Sequence, residues 1–226
     1  MYVENGNLRG VQKFVDTKVV RRNSIGFKTC ANSIRPFVGE EDFMNLENLI
    51  TEFMSLVGSG QIEVYNEFSL QHELGIFLRT RLTGYKVQFE RNTKFFGIQG
   101  TTKHEIDIVI YNEKEKYAIE LKYPLNGQYP EQMFSFVKDI KFMEELKEAG
   151  FDSTYCLTLV QDKNFYSGQK QDGIYAFFRG SKPLNGVICK PTGRRDENIE
   201  LKNRYNVSWR NCNKMKYYIL KIEGVF

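Results

Sequence analysis

His104-Glu-Ile-Asp-Ile-Val-Ile-Tyr-Asn-Glu-Lys-Glu-Lys-Tyr-Ala-Ile-Glu-Leu-Lys-Tyr123 is the stretch whose reading decides the fold. Side chains along a strand alternate between faces with period two. In the first half Ile106, Ile108 and Ile110 share a face and Asp107 lies on the other. In the second half Tyr117, Ile119, Leu121 and Tyr123 share a face, with Ala118, Glu120 and Lys122 opposite. The polar run Asn112-Glu113-Lys114-Glu115 is the turn. A two-residue loop at Glu113-Lys114 and a four-residue loop from Asn112 to Glu115 imply the same register. Both put Asp107 directly opposite Glu120, with Cβ atoms expected roughly 5 Å apart. A one-residue slip would not leave them opposed.

Two carboxylates held that close repel unless a cation neutralises them. A hard dication does so, using oxygen ligands and leaving room for water. Lys122 falls on the same face as Glu120. There it is expected to hold or deprotonate an attacking water, or to balance charge on a phosphate. A neighbouring cation is expected to push its proton affinity down. The other reading is an amphipathic hairpin whose charged face is solvated, with surface ion pairs of about 0–1 kcal/mol each. An acidic residue, any residue, then Lys occurs at Asp16, Glu120, Asp139, Glu145 and Glu200. Only the triplet at Glu120 lies in a strongly alternating strand with an Asp opposite. Those at Asp139 and Glu145 fall in a helical stretch and read as solvated positions.

The flanking segments supply an order of elements. Asn66 to Leu82 has helical spacing, with Phe68, Leu70, Leu74, Phe77, Leu78 and Leu82 for a buried face and Gly84 just beyond. Tyr85 to Glu90 alternates as a first strand. Pro130 to Ala149 is a helix, with Pro130 in its first turn, Glu131 at its positive end and Gly150 at its stop. Ser153 to Val160 is a further strand. Strand, helix and strand in that order imply a right-handed crossover and a parallel pair.

Helix, three antiparallel strands, helix and strand, with Asp on the second strand and Glu-x-Lys on the third, resembles the PD-(D/E)XK nuclease superfamily. The resemblance covers residues 66–162. It implies an α/β fold with a central mixed β-sheet flanked by helices, the restriction endonuclease-like αβββαβ core. By position it makes Asp107 and Glu120 ligands of Mg²⁺, with Mn²⁺ as a substitute. Leu121 would lend its backbone carbonyl, and Lys122 would assist the water. Many members also carry a Glu on the first helix aimed at the site, and Glu73 in Gln71-His-Glu-Leu-Gly75 matches it. Two features depart from the pattern. Ile106 stands where many relatives have Pro before the Asp. Gln132 is followed four residues later by Phe136, not by the Tyr of the exonuclease-like branch.

The expected activity is therefore Mg²⁺-dependent hydrolysis of DNA phosphodiester bonds, by an endonuclease of restriction or repair type. The alternative is a nucleic-acid-binding or interaction module that keeps the fold without cutting. A homodimer would suit double-strand cleavage, although no interface is legible.

The 226 residues suffice for a single domain with a substantial core and basic additions at 1–36 and 179–226. No apolar run approaches the roughly 20 residues of a membrane span, and the polar start lacks a signal-peptide core. An intracellular, cytoplasmic protein with no membrane partner is the expectation. Cys30, Cys156, Cys189 and Cys212 are widely spaced and read as reduced thiols, not a zinc cluster. His72 and His104, near the site in sequence, read as hydrogen-bonding residues before ligands.

The net charge of +4 is unevenly spread. Residues 37–75 hold eight acidic residues and no Lys or Arg, between two basic ends. Arg21, Arg22, Arg194 and Arg195 are the candidates for gripping DNA phosphates; solvated basic termini are the other reading. Glu41 to Val57 reads as an acidic helix. Gly173 to Arg179 and Lys216 to Glu223 read as additional strands, and Lys182 to Arg195 as a loop.

Overall fold

The computed structural model describes residues 45–193, 197–222 and 224. All of them belong to the unit Asp42–Phe226; residues 1–44 lie outside the described residues. Arg21, Arg22, Arg194, Arg195, Cys30 and Phe43 likewise lie outside.

The described chain is mixed α/β. Helices α1 (Leu46–Gly58) and α2 (Glu67–Arg81) precede strands β1 (Lys86–Asn92), β2 (Glu105–Tyr111) and β3 (Lys116–Lys122). The long helix α3 (Tyr129–Glu148) then leads to β4 (Ser153–Val160). A four-residue helix α4 (Tyr175–Phe178) follows, then β5 (Leu184–Cys189), β6 (Asn198–Tyr205), β7 (Arg210–Cys212) and β8 (Met215–Ile222). Six strands form one sheet in the order β1-β2-β3-β4-β8-β7, and β5 and β6 pair separately. In the large sheet β3 and β4 are parallel and every other pair is antiparallel.

Local chemistry sets the element ends. The Asn66 side chain accepts from Ser69 N–H at 2.7 Å, and Ser69 Oγ accepts from Asn66 N–H at 3.0 Å. This reciprocal cap contributes about 1 kcal/mol to starting α2. Pro130 in the first turn suits the start of α3, and Gly150, at φ +89°, ends it in the left-handed conformation. Asn112 Oδ1 accepts from both Lys114 and Glu115 N–H at 2.8 Å, closing the β2–β3 turn.

Each face of the sheet buries its own core. Ile108, Ile110, Tyr117, Ile119 and Leu121 pack under α1 and α2. Val109, Ala118, Cys156 and Val160 pack under α3, together with Phe165, Phe178 and the β5–β6 pair. Helix α2 comes very close to β1 at Gly75, where a Cβ would sit 2.0 Å from Phe89 Cε1. Only a residue without a side chain allows that approach.

Several sequence expectations change here. Phe68 is 70% exposed and not on the buried face of α2. Ile106 joins the core under α3, away from Ile108 and Ile110. Gly173 to Arg179 contains a helical turn, not a strand: Phe177 and Phe178 are both buried, whereas a half-buried strand would bury alternate residues. Part of the expected loop from Lys182 is strand β5, whose ladder is irregular between Leu184 and Gly186. Among the described residues no helix is long and apolar enough to cross a membrane.

Candidate active site

The β2–β3 hairpin pairs Ile108 with Ile119 and Tyr111 with Lys116, the register read from the turn. Its regular ladder stops at Ile108–Ile119, one step before Asp107 and Glu120. There side chains take over the pairing. Asp107 N–H donates to Glu120 Oε1 at 3.3 Å, and Leu121 N–H donates to Asp107 Oδ2 at 2.7 Å. Each carboxylate thus accepts from a backbone amide of the opposite strand. The open end of the hairpin holds the two acidic groups together.

Glu120 lies on the face covered by α3, and its side chain is fully buried. Asp139 of α3 faces it, itself 5% exposed. Lys103, in the loop before β2, places its ammonium between them, in contact with Glu120 Oε2 and 3.0 Å from Asp139 Oδ1. Lys122 Nζ lies 3.5 Å from Asp139 Oδ2 and 3.2 Å from Glu67 Oε1, and donates to the Leu121 carbonyl at 3.0 Å. Glu67 Oε2 also accepts from Tyr123 N–H at 2.9 Å. On the other side Gln71 Nε2 donates to the Asp107 carbonyl at 2.8 Å and to Glu90 Oε1 at 2.5 Å. Glu90 follows the Phe89 on which Gly75 rests, and its backbone is left-handed, φ +47°. A non-glycine residue pays for that conformation in strain, which is typical of sites that aim a side chain.

Asp107, Glu120, Leu121 and Lys122 therefore meet as the sequence predicts. Glu73 does not join them. It lies six residues after Glu67 and two after Gln71, so the helix turns it well away from both. Among the described residues no hydrogen bond or ion pair links it to the cluster. Glu67 and Gln71 occupy the helix positions that reach the site. Asp139 and Glu145 are not solvated either. Asp139 is buried among the site charges, and Glu145 accepts from Thr102 N–H at 2.6 Å and Thr102 Oγ1 at 2.7 Å. His72 is exposed and stacks on Phe89; His104 is exposed and only its carbonyl is engaged, by Thr93 N–H. Neither histidine belongs to the cluster.

Two of these newly found residues carried a signal in the sequence. Asp139 falls three residues after Phe136 and four before Met143, on the apolar stripe of α3. Glu67 opens a helix whose buried stripe, through Leu70, Leu74 and Leu78, fixes which acidic residue faces the sheet. Lys103 carried none beyond its nearness to Asp107.

The electrostatics follow from burial. Burial raises the Asp107 pKa to about 6, against the lowering pull of Lys103, the Leu121 amide and Lys122. Glu120 is pushed well above the usual carboxylate range by burial first, then by Asp107 and Asp139, which together outweigh Lys103. For Lys122 burial works downward, but Asp139 and Glu67 outweigh it and hold the ammonium above the ordinary lysine range. Its nearest charges are carboxylates, and they set this direction where no dication lies beside it.

With every carboxylate ionised, Asp107, Glu120, Asp139 and Glu67 face two ammonium groups, leaving two negative charges uncompensated. Asp139 Oδ2 is buried without a hydrogen-bond partner. Oxygen donors, surplus negative charge and raised carboxylate pKa values fit a hard dication. Among the described residues no three His, Cys, Asp or Glu side chains are grouped to enclose a metal ion. An ion here would take its protein ligands from Asp107, Glu120 and a backbone carbonyl and complete its shell with water, as Mg²⁺ commonly does.

Several basic residues of the C-terminal region are engaged within the fold. Arg179 donates to the Asn164 carbonyl, Lys202 to Glu148 and Arg210 to Glu47. Cys156, Cys189 and Cys212 are free thiols, the first and last buried.

No family model, curated protein or solved structure matches this chain.

Proposed function

We propose that this chain is a Mg²⁺-dependent nuclease that hydrolyses DNA phosphodiester bonds, an endonuclease of restriction or repair type on a restriction endonuclease-like core. The observation that carries the reading is the meeting of Asp107 and Glu120 at the open end of the β2–β3 hairpin, with Lys122 beside them. The order α2-β1-β2-β3-α3-β4, with β3 and β4 parallel, supports the same core.

Asp107, Glu120 and the Leu121 carbonyl would hold the ion, which supplies positive charge to the scissile phosphate and lowers the pKa of a bound water. Lys122 is paired with Asp139 and Glu67, which favours its ammonium form, so its role is that of a donor. Its ammonium orients the attacking water or a phosphate oxygen and balances charge as the phosphorane-like transition state develops. Glu67 fixes that ammonium from α2 while bonding the strand itself at Tyr123 N–H. Gln71 holds the Asp107 backbone from the other side, so the ligand is braced by helix α2 as well as by the sheet.

One observation favours a second reading, a nucleic-acid-binding module that does not cut. Lys103 already sits on Glu120 and neutralises it without any metal. Duplex and single-stranded DNA incubated with Mg²⁺, Mn²⁺ or chelator separate the two. Cleavage that requires the metal and is lost in Asp107→Asn and Glu120→Gln supports the nuclease. Binding without cleavage under every condition supports the module.

A further inference from the structure

Lys103 has no part in the chemistry described above, yet it pairs with two carboxylates of the cluster. Its ammonium touches Glu120 and lies 3.0 Å from Asp139, two side chains that are almost wholly buried. A buried carboxylate without a partner is strongly destabilising, so the metal-free fold needs this cation. The loop that carries it is docked: Thr102 bonds Glu145 of α3 through both its N–H and its hydroxyl, and Thr101 Oγ1 bonds the Lys103 carbonyl at 2.6 Å. The backbone is thereby fixed, while the side chain remains 30% exposed on a flexible four-carbon stem.

We infer that Lys103 is a built-in counter-ion of Glu120 that a dication displaces, and that Asp139 is the berth that keeps the displaced ammonium at the site. The inference rests on the nuclease reading. A dication on Glu120 and an ammonium on the same carboxylate repel, so the two compete for it. The ammonium need not go out to water. Asp139 Oδ1 already bonds it, and Asp139 Oδ2 is turned toward Lys122. One buried carboxylate on the crossing helix thus anchors both lysines. Held there through one N–H, Lys103 has two donors left to offer to an oxygen of the phosphate, beside Lys122. Lys103 is then a catalytic residue and Asp139 a positioning residue.

The test is a calorimetric titration of the full chain with Mn²⁺, paired with single-turnover cleavage of duplex DNA. Lys103→Met removes the competitor. It should bind Mn²⁺ about tenfold more tightly, cleave at least about tenfold more slowly, and unfold at a lower temperature without metal. Lys103→Arg grips a carboxylate with a fork of two bonds, so it should weaken Mn²⁺ binding several-fold, and it reports even if the Met variant fails to fold. Asp139→Asn should slow the cleavage step without weakening Mn²⁺ binding, and Asp139→Glu should restore part of the rate. A wild-type protein that binds Mn²⁺ and cleaves, with Met and Arg variants of unchanged Mn²⁺ affinity, overturns this inference alone. A wild-type protein that neither binds Mn²⁺ nor cleaves removes the nuclease reading and the displacement with it.

Discussion

Asp107 and Glu120 face each other across the end of a hairpin, and each accepts a hydrogen bond from a backbone amide of the other's strand. The pair thereby replaces the last rung of the ladder with carboxylate oxygens. Structure and site are made of the same two residues, and their burial opposes the charge that the chemistry needs.

Neutralising either carboxylate should therefore separate activity from stability. Asp107→Asn and Glu120→Gln are expected to abolish metal-dependent cleavage, because each removes a charged oxygen ligand. Without metal at pH 7.5 both should unfold no more easily than the wild type, and Asp107→Asn should gain on the order of 1 kcal/mol, since burial disfavours the charged form. Thermal unfolding in chelator, run beside the cleavage assay, checks both halves. A collapsed fold in the inactive variants would remove the inference from activity to ligand loss.

The pH dependence has a definite sign. The folded-state pKa of Asp107, about 6, is above its ordinary value of 3.8. The folded protein therefore binds more protons than the unfolded chain between those values. The stability contributed is fully present below about 4 and is lost as pH rises through 6. Metal-free protein should gain about 2–3 kcal/mol from this group on acidification from pH 7 to pH 4. The difference between wild type and Asp107→Asn isolates it; parallel unfolding curves at all pH values would exclude it. A saturating dication, which favours the ionised form, should flatten the dependence.

Glu67 and Glu73 lie on one helix and should differ sharply. Glu67→Gln loosens Lys122 and is expected to lower the cleavage rate about tenfold with little change in metal affinity. Glu73→Gln should change stability by less than about 0.5 kcal/mol and leave the rate alone. Lys122→Ala should cost about 10²–10³ in rate and keep metal binding measurable. Parallel rate and metal-titration measurements on the three variants decide among these roles, and equal effects at 67 and 73 would contradict the placement of α2.

Gly75→Ala inserts a methyl group where Phe89 already stands. Overpacking of this kind costs about 1–3 kcal/mol. Since Gln71 spans α2, Glu90 and Asp107, displacing the helix should also lower the cleavage rate. Denaturant unfolding and rate measurements on the same sample would show both losses; an unperturbed rate would mean that α2 does not brace Asp107.

How much of this the sequence disclosed depended on whether a residue's surroundings lay nearby in the chain. Strict alternation on both sides of a short polar turn determines the register from local chemistry alone, so Asp107 and Glu120 could be paired by counting. Helix α3 and strand β4 were bounded by Pro130, Gly150 and an apolar run. Glu73 was the wrong acid because a motif match gives a position along a helix but not a direction around it. Asp139 reads as solvated from its charge alone, although it interrupts an apolar stripe, and the stripe is the better guide. Lys103 was invisible: its meaning lies in Glu120, seventeen residues on, and in Asp139, thirty-six on. The β5–β6 pair eluded reading because its edge is broken by Gly186, at φ +64°.

Strand β3 runs between β2 and β4; Glu120 lies one step past the last ladder pair with β2 and opposite Cys156 within the parallel pair. Amide hydrogens along β3 should exchange with solvent only when the whole domain opens, on the slowest timescale the protein has. Those of the segment around Lys103 lie outside any strand and should exchange through small local openings. Two clocks are thus set side by side within one cluster of charges. The acid that must stay still is timed by global unfolding, and the lysine that must move is timed by the rotations of its own side chain.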